Sequence, residues 1–206
     1  MTRAMSSDWR DGFLFLGNHR ALDFLNTRPV MDGQPVELLP DGRALARWLA
    51  AAGLVSPSYS TRLQHRWSGA ATTGVEELRN LRERFRKAVL AIEAGGKPPA
   101  EFVREVNRLL LDFPFVDQLV PGDSGLEQRK WFAAENPEDA FAPIVHAMAD
   151  LLSNLPADRL RQCRGCILHF YDTSKKGTRQ WCSMNICGNR AKVAAFAERK
   201  RAAADQ

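Results

Sequence analysis

The sequence lacks long apolar runs, and outside one short stretch it lacks cysteine. The run Phe13 to Leu16 is too short for the core of a signal peptide, and nothing else in the 206 residues is long and apolar enough to span a bilayer. We therefore expect a cytoplasmic protein without a membrane partner. A hydrophobic fraction of 45% and a charged fraction of 26% are ordinary for a folded domain. The length suffices for one sizeable domain and a small appendage.

Motifs of catalysis are missing as well. The sequence has no Gly-rich phosphate loop, no nucleophile elbow and no carboxylate pair that would favour an enzyme. It also has no internal repeat and no low-complexity segment. These absences predict that the protein is not an enzyme.

The four cysteines all fall between positions 163 and 187, in the pattern C-x2-C-x15-C-x4-C. Because cytosolic thiols stay reduced, such crowding predicts a metal site rather than two disulfides. A Cys-x2-Cys turn places two thiolates on one metal, and a second pair completes a tetrahedron with no open position. We therefore predict one structural Zn²⁺ per chain, bound by Cys163, Cys166, Cys182 and Cys187.

Two alternatives to this ligand set stay open at the sequence level. His169 lies between the cysteine pairs and could replace one thiolate, although a His beside a complete Cys₄ set is more often a core or surface residue. Cys163 and Cys166 could instead form a redox pair. That motif belongs to a βαβ context, which is absent here, and it leaves the other two cysteines unexplained.

Positive charge is concentrated in the cysteine-bearing part of the chain. Residues 158–206 carry eleven Lys and Arg against four Asp and Glu, or +7, whereas the other 157 residues carry eighteen against twenty, or −2. A Zn²⁺ with four thiolates has a net charge of −2, so the net charge of the zinc-bound module is near +5. A basic module of this kind favours an anionic partner, most often nucleic acid.

The fold class predicted from the pattern is α+β, mainly α. Residues 1–11 are predicted to be a disordered tail, 12–156 a helical regulatory domain with one small β-hairpin, and 157–206 a zinc-finger domain. In the first half of the chain the pattern predicts a short strand at Phe13–Leu16, a helix from Asn18 to Asn26, a helix capped by Asp41 and ended by Gly53, and a helix over Pro57–Trp67. After these it predicts a helix with a capping box at Thr73 and Glu76, a helix after Pro99 and a hairpin around 121–125. The last predicted helix of this domain starts at Asn136 and kinks at Pro143. The basic residues of the Thr73 helix, Arg82 and Arg86 among them, are interpreted as a solvated face rather than a nucleic-acid surface.

Within the cysteine module the pattern predicts a zinc knuckle, a hairpin and a helix. Residues 168–173 and 178–181 are aromatic-rich and flank a Lys-Gly turn, which is typical of two paired strands. An apolar stripe after Cys187 predicts a helix whose N-terminus holds the second ligand pair. This order resembles a treble-clef zinc finger.

The residues around the second cysteine pair resemble a known family. Trp181 to Met184, followed by Cys187-Gly188-Asn189-Arg190, is similar to the signature of the CGNR zinc finger. The segments 17–27 and 45–49 resemble the opening motif and the next helix of the ABATE domain, with which that finger is usually coupled. The resemblance implies a stress-induced transcription regulator that binds DNA.

Candidate nucleic-acid contacts follow from the basic residues of the module. They are Lys175, Lys176, Arg179, Asn189, Arg190, Lys192, Arg199 and Lys200. We expect the apolar stripe at Val193, Phe196 and Ala197 to pack on the hairpin, which leaves the basic side chains on the two flanks of the helix. That arrangement suits phosphate contacts better than base readout. A solvated charged surface is the alternative, and Arg190 is as well suited to bracing the thiolates as to contacting phosphate.

In the first domain, Asn18, His19, Asp23 and Asn26 place several polar groups on one short helix. A pocket for a small-molecule effector would use such groups, and so would a capped helix with a polar face. RNA and a homodimer also remain open as partners. The alternative function is a zinc-stapled protein-interaction module, which would be favoured if Phe170, Tyr171 and Trp181 formed a surface patch rather than a core.

Overall fold

A computed structural model describes residues 8–68 and 72–204 of the chain. The helices are α1 (Arg20–Leu25), α2 (Gly42–Ala51), α3 (Pro57–Arg66), α4 (Thr72–Glu93), α5 (Ala100–Asp112), α6 (Phe141–Asn154) and α7 (Asn189–Ala204). The strands are β1 (Trp9–Arg10), β2 (Phe13–Leu14), β3 (Val30–Met31), β4 (Gln34–Pro35), β5 (Val116–Gly122), β6 (Gly125–Trp131), β7 (Leu160–Gln162) and β8 (His169–Tyr171). The strands pair in chain order into two-stranded antiparallel sheets. The predicted class, α+β and mainly α, is confirmed.

The main core forms around α4, which packs against α1, α2 and α5. Its apolar stripe is buried as the periodicity predicts, with Leu78, Leu81 and Phe85 at most 1% exposed. Large aromatic side chains complete this core. Trp48 of α2 is fully buried and meets Phe24 edge to face at 5.7 Å between ring centroids.

The predicted helix starts are confirmed where the sequence offers one clear cap. Asp41 precedes α2 and accepts a hydrogen bond from the N–H of Ala44 at 2.8 Å, and Ser56 caps α3 through the N–H of Tyr59. Two other starts are wrong. His19, rather than Asn18, caps α1, because its Nδ1 accepts from the N–H of Ala21 at 3.3 Å. Helix α4 begins at Thr72, so Thr73 lies inside it.

The start of α6 is built in two steps. Asn136 and Asp139 form a capping box around a 3₁₀ turn, Pro137–Ala140, and the α-helix begins at Phe141. Pro143 therefore lies in the first turn of α6, where its missing N–H has no intrahelical partner to lose. The change from a 3₁₀ turn to an α-helix thus falls at Phe141, before Pro143, where the sequence had predicted a kink.

The basic residues of α4 are not all on a solvated face, which corrects the prediction for two of them. Arg82 is 1% exposed, and its guanidinium donates to Thr27 Oγ1 at 2.7 Å and to the Glu37 carboxylate. Arg86 donates to the carbonyl of Leu25 at 2.9 Å. These two arginines hold the loop after α1 against α4, because a buried guanidinium must find acceptors for its donors.

The predicted hairpin around 121–125 is confirmed as β5 and β6. Its register runs from Val116 opposite Trp131 to Gly122 opposite Gly125. The hairpin stands away from the core, since Leu119 and Leu126 are 70% and 72% exposed.

A second apolar cluster joins the start of the chain to the cysteine module. Leu14 and Leu16 are buried against Leu168 and Phe170, with Trp9 packed on the same cluster. The predicted disordered tail over 1–11 is therefore corrected for residues 8–11, which include strand β1; residues 1–7 lie outside the described residues. Packing thus crosses the expected boundary between the two domains.

Candidate metal centre and nucleic-acid interface

The four predicted ligands meet in one place. The Sγ atoms of Cys163, Cys166, Cys182 and Cys187 all lie within 4.8 Å of one another, and none of the four is in a disulfide. The Cys182 sulfur is 3.6 Å from those of Cys166 and Cys187. A tetrahedral Zn²⁺ with bonds of about 2.3 Å places its sulfur ligands about 3.8 Å apart. The donor set therefore fits one structural zinc ion.

Local structure explains how each cysteine reaches the centre. Cys163 directly follows β7 and Cys166 precedes β8, so the β7–β8 hairpin closes the knuckle. Gly165 sits where an added Cβ would be 3.1 Å from the Cβ of Cys187, so the knuckle has little room for a side chain there. Cys182 lies in the loop before a short π-helical turn, Met184–Gly188, and Cys187 lies within that turn just before α7.

One predicted hairpin of the module is wrong. Strand β8 pairs with β7, with Phe170 opposite Arg161, rather than with residues 178–181. Those residues form a loop instead, held by the carboxylate of Asp172, which accepts from the N–H groups of Ser174 and Arg179 at 2.8 Å each. Burial alone would raise the pKa of Asp172, but these hydrogen bonds hold it below its usual value. The knuckle and the helix that follows the second pair are as predicted.

The electrostatics of the four thiols favour a bound cation. Hydrogen bonds from the thiols of Cys166 and Cys182, assisted by the N–H groups of Cys182 and Gly165, lower the pKa of Cys163. The same hydrogen bond with Cys163 raises the pKa of Cys166 to about 12, and the neighbouring sulfurs also raise the pKa of Cys182. Four thiolates at this separation repel one another, and a dication removes that repulsion.

His169 is not a ligand in this arrangement. Its side chain is 1% exposed, and its Nδ1 lies 2.9 Å from the Glu93 carboxylate, away from the sulfur cluster. Its backbone is equally engaged, because the Asn26 amide donates to its carbonyl at 2.8 Å and accepts from its N–H at 3.0 Å. His169 therefore joins the module to α1 and α4.

Two arginines predicted to contact nucleic acid hold the metal centre together instead. Arg179 donates to the carbonyls of Trp181 (2.8 Å) and Cys182, and its guanidinium stacks on Phe170 at 4.3 Å. Arg190 donates to the sulfur of Cys187 at 3.1 Å, and that hydrogen bond raises the pKa of Arg190. Of the two roles left open for Arg190, bracing of the thiolates is the one that the geometry provides.

Gly188 of the CGNR segment lies where the side chain of Met184, beside Trp181, leaves no room for a Cβ. An added Cβ would lie 2.7 Å from the sulfur and 2.9 Å from the methyl carbon of Met184, and 3.5 Å from Trp181. The crowding therefore comes from the turn that carries the ligand pair. Gly188 lets this turn pass into α7.

The four polar residues of the first domain, Asn18, His19, Asp23 and Asn26, form hydrogen bonds within the protein. Asn18 donates to the carbonyl of Tyr171 at 2.9 Å, and His19 Nε2 lies 3.0 Å from the Asp150 carboxylate. Asp23 accepts from the N–H of Gly17 at 2.8 Å, and burial raises its pKa to about 6. Together with Asn26, they have their partners inside the protein, two of them in the zinc module. This network accounts for all four side chains without a ligand.

Other basic residues of the module are exposed. Within the part of the chain that the structure describes, these residues have no carboxylate partner: Arg164, Lys175, Lys176, Lys192, Arg199, Lys200 and Arg201. Sequence reasoning did not select Arg164, although its place between the first two ligands puts it on the surface of the knuckle. Arg159 is used differently, since it donates to the carbonyls of Asp172 (3.2 Å) and Ser174 (2.6 Å) beneath the Lys175–Lys176 turn.

The free face of α7 is the largest departure from expectation. Val193 and Phe196 were expected to pack on a hairpin, yet they are 69% and 63% exposed. At 100° per residue, Val193, Phe196 and Lys200 lie within roughly 60° of one another. Ala191 and Ala195, on the opposite side, are the half-buried positions. The apolar stripe therefore faces away from the module, with Lys192 and Arg199 on one flank and Arg201 on the other. We call this stripe with its flanks the α7 ridge.

The aromatic residues proposed as a discriminator lie in the core. Phe170 is fully buried, and Trp181 and Tyr171 are half-buried against the two apolar clusters. Phe170 and Trp181 pack in the cluster that contains the cysteines, and Tyr171 packs on the main core, so the three form no surface patch.

Two family models match the chain. The model of the ABATE family, described as "Putative stress-induced transcription regulator", matches residues 18–154. The model of the CGNR zinc finger matches residues 159–200. A comparison with curated proteins finds no match. Among the described helices, none has both the length and the apolar character that crossing a membrane requires.

Proposed function

Since the chain belongs to the ABATE family and carries a CGNR zinc finger, we propose that it is a transcription regulator that binds DNA through the α7 ridge. The observation that carries the proposal is the orientation of α7. Its apolar stripe is exposed and bordered by cations, while its one described acid, Glu198, lies on the side opposite the stripe. This is the surface that a helix needs when it enters a polyanionic groove.

The dimensions of α7 suit the major groove. Its 16 residues extend over about 24 Å, and a helix with its side chains is about 10–12 Å wide, close to the width of the groove. In that position Val193 and Phe196 would meet thymine methyl groups, and Lys192 and Arg199 would reach the phosphates of one strand. Asn189 at the start of the helix is exposed and can pair with a base edge. The ridge thus combines base and backbone contacts, which the sequence pattern alone did not favour.

The turn that holds Lys175 and Lys176 supplies a second set of phosphate contacts. Both lysines are exposed, and the turn beneath them is fixed by Arg159 and Asp172. Because the backbone of this turn is already held in place, it loses little freedom on binding, which favours contacts between its lysines and a regular DNA backbone. These contacts position the protein without reading sequence.

The helical domain is the regulatory part of this proposal. We place the protein in the cytoplasm, where reducing conditions keep the four thiols available for zinc. No catalytic role is included, because four protein ligands leave the zinc without an open position for water or substrate. A homodimer and an RNA partner stay predictions.

Binding to a random-sequence DNA duplex tests the proposal. Fluorescence anisotropy at low salt should show binding by the zinc-loaded protein and markedly weaker binding by the double variant Lys192→Gln/Arg199→Gln. The matched control is Lys87→Gln/Arg104→Gln, which removes one exposed Lys and one exposed Arg from the helical domain. Equal losses in both variants would mean that the charge of the whole protein, not the ridge, holds the DNA. A parallel titration with single-stranded RNA decides between the two nucleic acids.

The second candidate function is a protein-interaction module, and the exposure of Val193 and Phe196 favours it too. The variant Val193→Ser/Phe196→Ser separates the two. If the ridge reads DNA, this variant keeps the salt-dependent part of binding and loses discrimination between duplexes. If wild type binds no nucleic acid at low salt while the apolar variant loses self-association or partner binding, the interaction module is the better account.

A further inference from the structure

A cleft in the helical domain has the size and lining of a small-molecule site. Its volume is about 660 Å³, within the range of about 300–1,000 Å³ that ligand pockets occupy. It lies where the loop after α2, the start of α3, the base of the β5–β6 hairpin and the first turn of α6 come together. The residues that line it are Arg20, Gly53, Leu54, Val55, Ser56, Tyr59, Arg62, Phe115, Lys130, Trp131, Phe132 and Pro143.

Every charged residue that lines the cleft is basic. Arg20, Arg62 and Lys130 are all exposed at the cleft, none of its lining residues is acidic, and none of these cations has a carboxylate partner among the described residues. Asp117 faces Lys130 across the hairpin, and the two form no ion pair. Three unpaired cations around one cleft create a positive potential that an anion would satisfy.

The rest of the lining is apolar and aromatic. Phe115 and Phe132 meet edge to face with ring centroids 5.9 Å apart, and the Arg62 guanidinium lies 5.0 Å from the centre of the Tyr59 ring. Leu54, Val55 and Pro143 complete an apolar surface beside these rings. The cleft therefore offers a face for a ring or a branched chain as well as a place for a negative group.

A buried polar atom without a hydrogen-bond partner lies next to Phe115 of the cleft lining. The His146 ring is 4.4 Å from the Phe115 ring, and its Nε2 is buried without a hydrogen-bond partner among the described residues. Burial, with the nearby charge of Lys130, lowers the pKa of His146 and so favours the neutral ring, in which one nitrogen donates and the other accepts. Native proteins rarely leave such an atom unpaired.

From these observations we propose that the cleft binds a small amphipathic anion: an apolar, ring-sized body with one carboxylate or sulfonate group. The body lies against Phe115, Phe132 and Val55, and the anionic group lies between Arg62, Lys130 and Arg20. The inference concerns the regulatory half of the proposed function. Its test involves no DNA in the primary measurement, so either proposal can fail alone.

The placement of Arg20 suggests why a regulator would have such a site. Arg20 is the first residue of α1, directly after Asn18 and His19. Asn18 bonds the zinc module at Tyr171, and Asn26, just past the other end of the helix, bonds it at His169. One short helix therefore touches both the cleft and the module that carries α7.

The probe pair 1-anilinonaphthalene-8-sulfonate and N-phenyl-1-naphthylamine tests the proposal, because the two share their rings and differ in the sulfonate. Each is titrated by fluorescence into the zinc-loaded full chain. We expect saturable one-to-one binding of the sulfonate, with Arg62→Gln and Lys130→Gln each weakening it about tenfold. The neutral probe should respond to neither variant. Arg104→Gln and Lys87→Gln, matched exposed positions outside the cleft, should change neither probe.

A blocking variant keeps the result specific to the cleft, since the exposed hairpin and α7 could also bind apolar probes. Val55→Trp fills the cleft and should abolish binding of both probes; if it fails to fold, the exposed Arg62 and Lys130 positions still carry the test. The proposal is overturned if the charge variants leave the sulfonate affinity unchanged, if the folded Val55→Trp protein binds as wild type does, or if both probes bind equally. It is also overturned if a DNA duplex displaces the sulfonate competitively, because the cleft would then be part of a nucleic-acid surface.

Discussion

The side-chain amide of Asn26 pairs with both backbone polar groups of His169. It donates to the carbonyl at 2.8 Å and accepts from the N–H at 3.0 Å, and Asn26 itself is fully buried. One residue of the helical domain thus takes the place of a neighbouring strand beside β8, which also pairs with β7. The zinc module and the helical domain are therefore connected through the strand that follows the knuckle.

Replacing Asn26 by Leu should destabilise the whole protein. The change leaves the N–H and the carbonyl of His169 buried without partners, and each unsatisfied group costs about 1–3 kcal/mol, so we expect a loss of roughly 2–6 kcal/mol. Urea unfolding with zinc present measures it. The control Asn107→Leu, at an exposed position of α5, should change stability by less than about 0.5 kcal/mol. Similar losses in both variants would show that the pairing of Asn26 with His169 contributes little.

Loss of zinc should release the start of the chain together with the module. Leu14 and Leu16 are buried against the cluster that contains Cys163, Cys182 and Cys187, so Cys182→Ser removes the support of strand β2 as well. Amide hydrogen exchange should show loss of protection in β1, β2 and the module, with α4 still protected. A variant in which β2 keeps its wild-type protection, or in which α4 loses its own, would contradict this division.

Replacing Arg190 should weaken zinc binding, whereas replacing the nearby Lys192 should not. Arg190 donates to the Cys187 sulfur at 3.1 Å, so Arg190→Gln should weaken zinc binding about 10–100-fold in a competition with a chelator. Lys192→Gln should leave zinc affinity unchanged, since Lys192 is exposed and lies on the ridge flank. Equal zinc affinities in wild type and Arg190→Gln would mean that this hydrogen bond does not tune the metal.

Asp23 should make the protein more stable at acidic pH than at neutral pH. Its folded-state pKa of about 6 exceeds its ordinary value of 3.8, because burial disfavours the charged carboxylate. The folded state thus binds the proton more tightly, and the associated stability, about 3 kcal/mol, is present below about pH 4 and lost as pH rises through about 6. Asp23→Asn keeps an acceptor for the Gly17 N–H and removes this dependence.

The pH prediction is measured as a difference. Zinc release at low pH affects wild type and Asp23→Asn alike, so the stability of the variant relative to wild type isolates the carboxyl. From about pH 5 to about pH 8 the variant should gain about 1 kcal/mol relative to wild type. A constant difference across this range would show that Asp23 titrates at its ordinary pKa.

Local patterns were enough to predict much of this protein. The spacing of the cysteines predicted the ligand set. The cap at Asp41 predicted α2, and the apolar stripe of Leu78, Leu81 and Phe85 predicted α4, because these features depend on residues close in sequence. The charge asymmetry and the CGNR segment both mark the cysteine module as the part of the chain predicted to bind an anionic partner. The match of both family models agrees with that prediction.

What the sequence could not provide were long-range pairings. Strand β8 pairs with β7 instead of residues 178–181, because the knuckle brings β7 closer than the downstream loop. The roles of Asn26 and Arg82 depend on partners 143 and 45 residues away in the chain, His169 and Glu37. The stripe on α7 was interpreted as a core-facing surface because apolar periodicity does not say whether a partner lies inside the chain or outside it.

The salt dependence of DNA binding tests the central claim most directly. Titrations of wild type and Lys192→Gln/Arg199→Gln on one duplex, at several salt concentrations, give the slope of log affinity against log salt. If the α7 ridge binds DNA with both cations on phosphates, the variant slope should be shallower by about 1.8, or about 0.9 for each phosphate that is no longer neutralised, while Lys87→Gln/Arg104→Gln keeps the wild-type slope. Coincident slopes for wild type and the ridge variant, or no binding by wild type at low salt, would contradict the account.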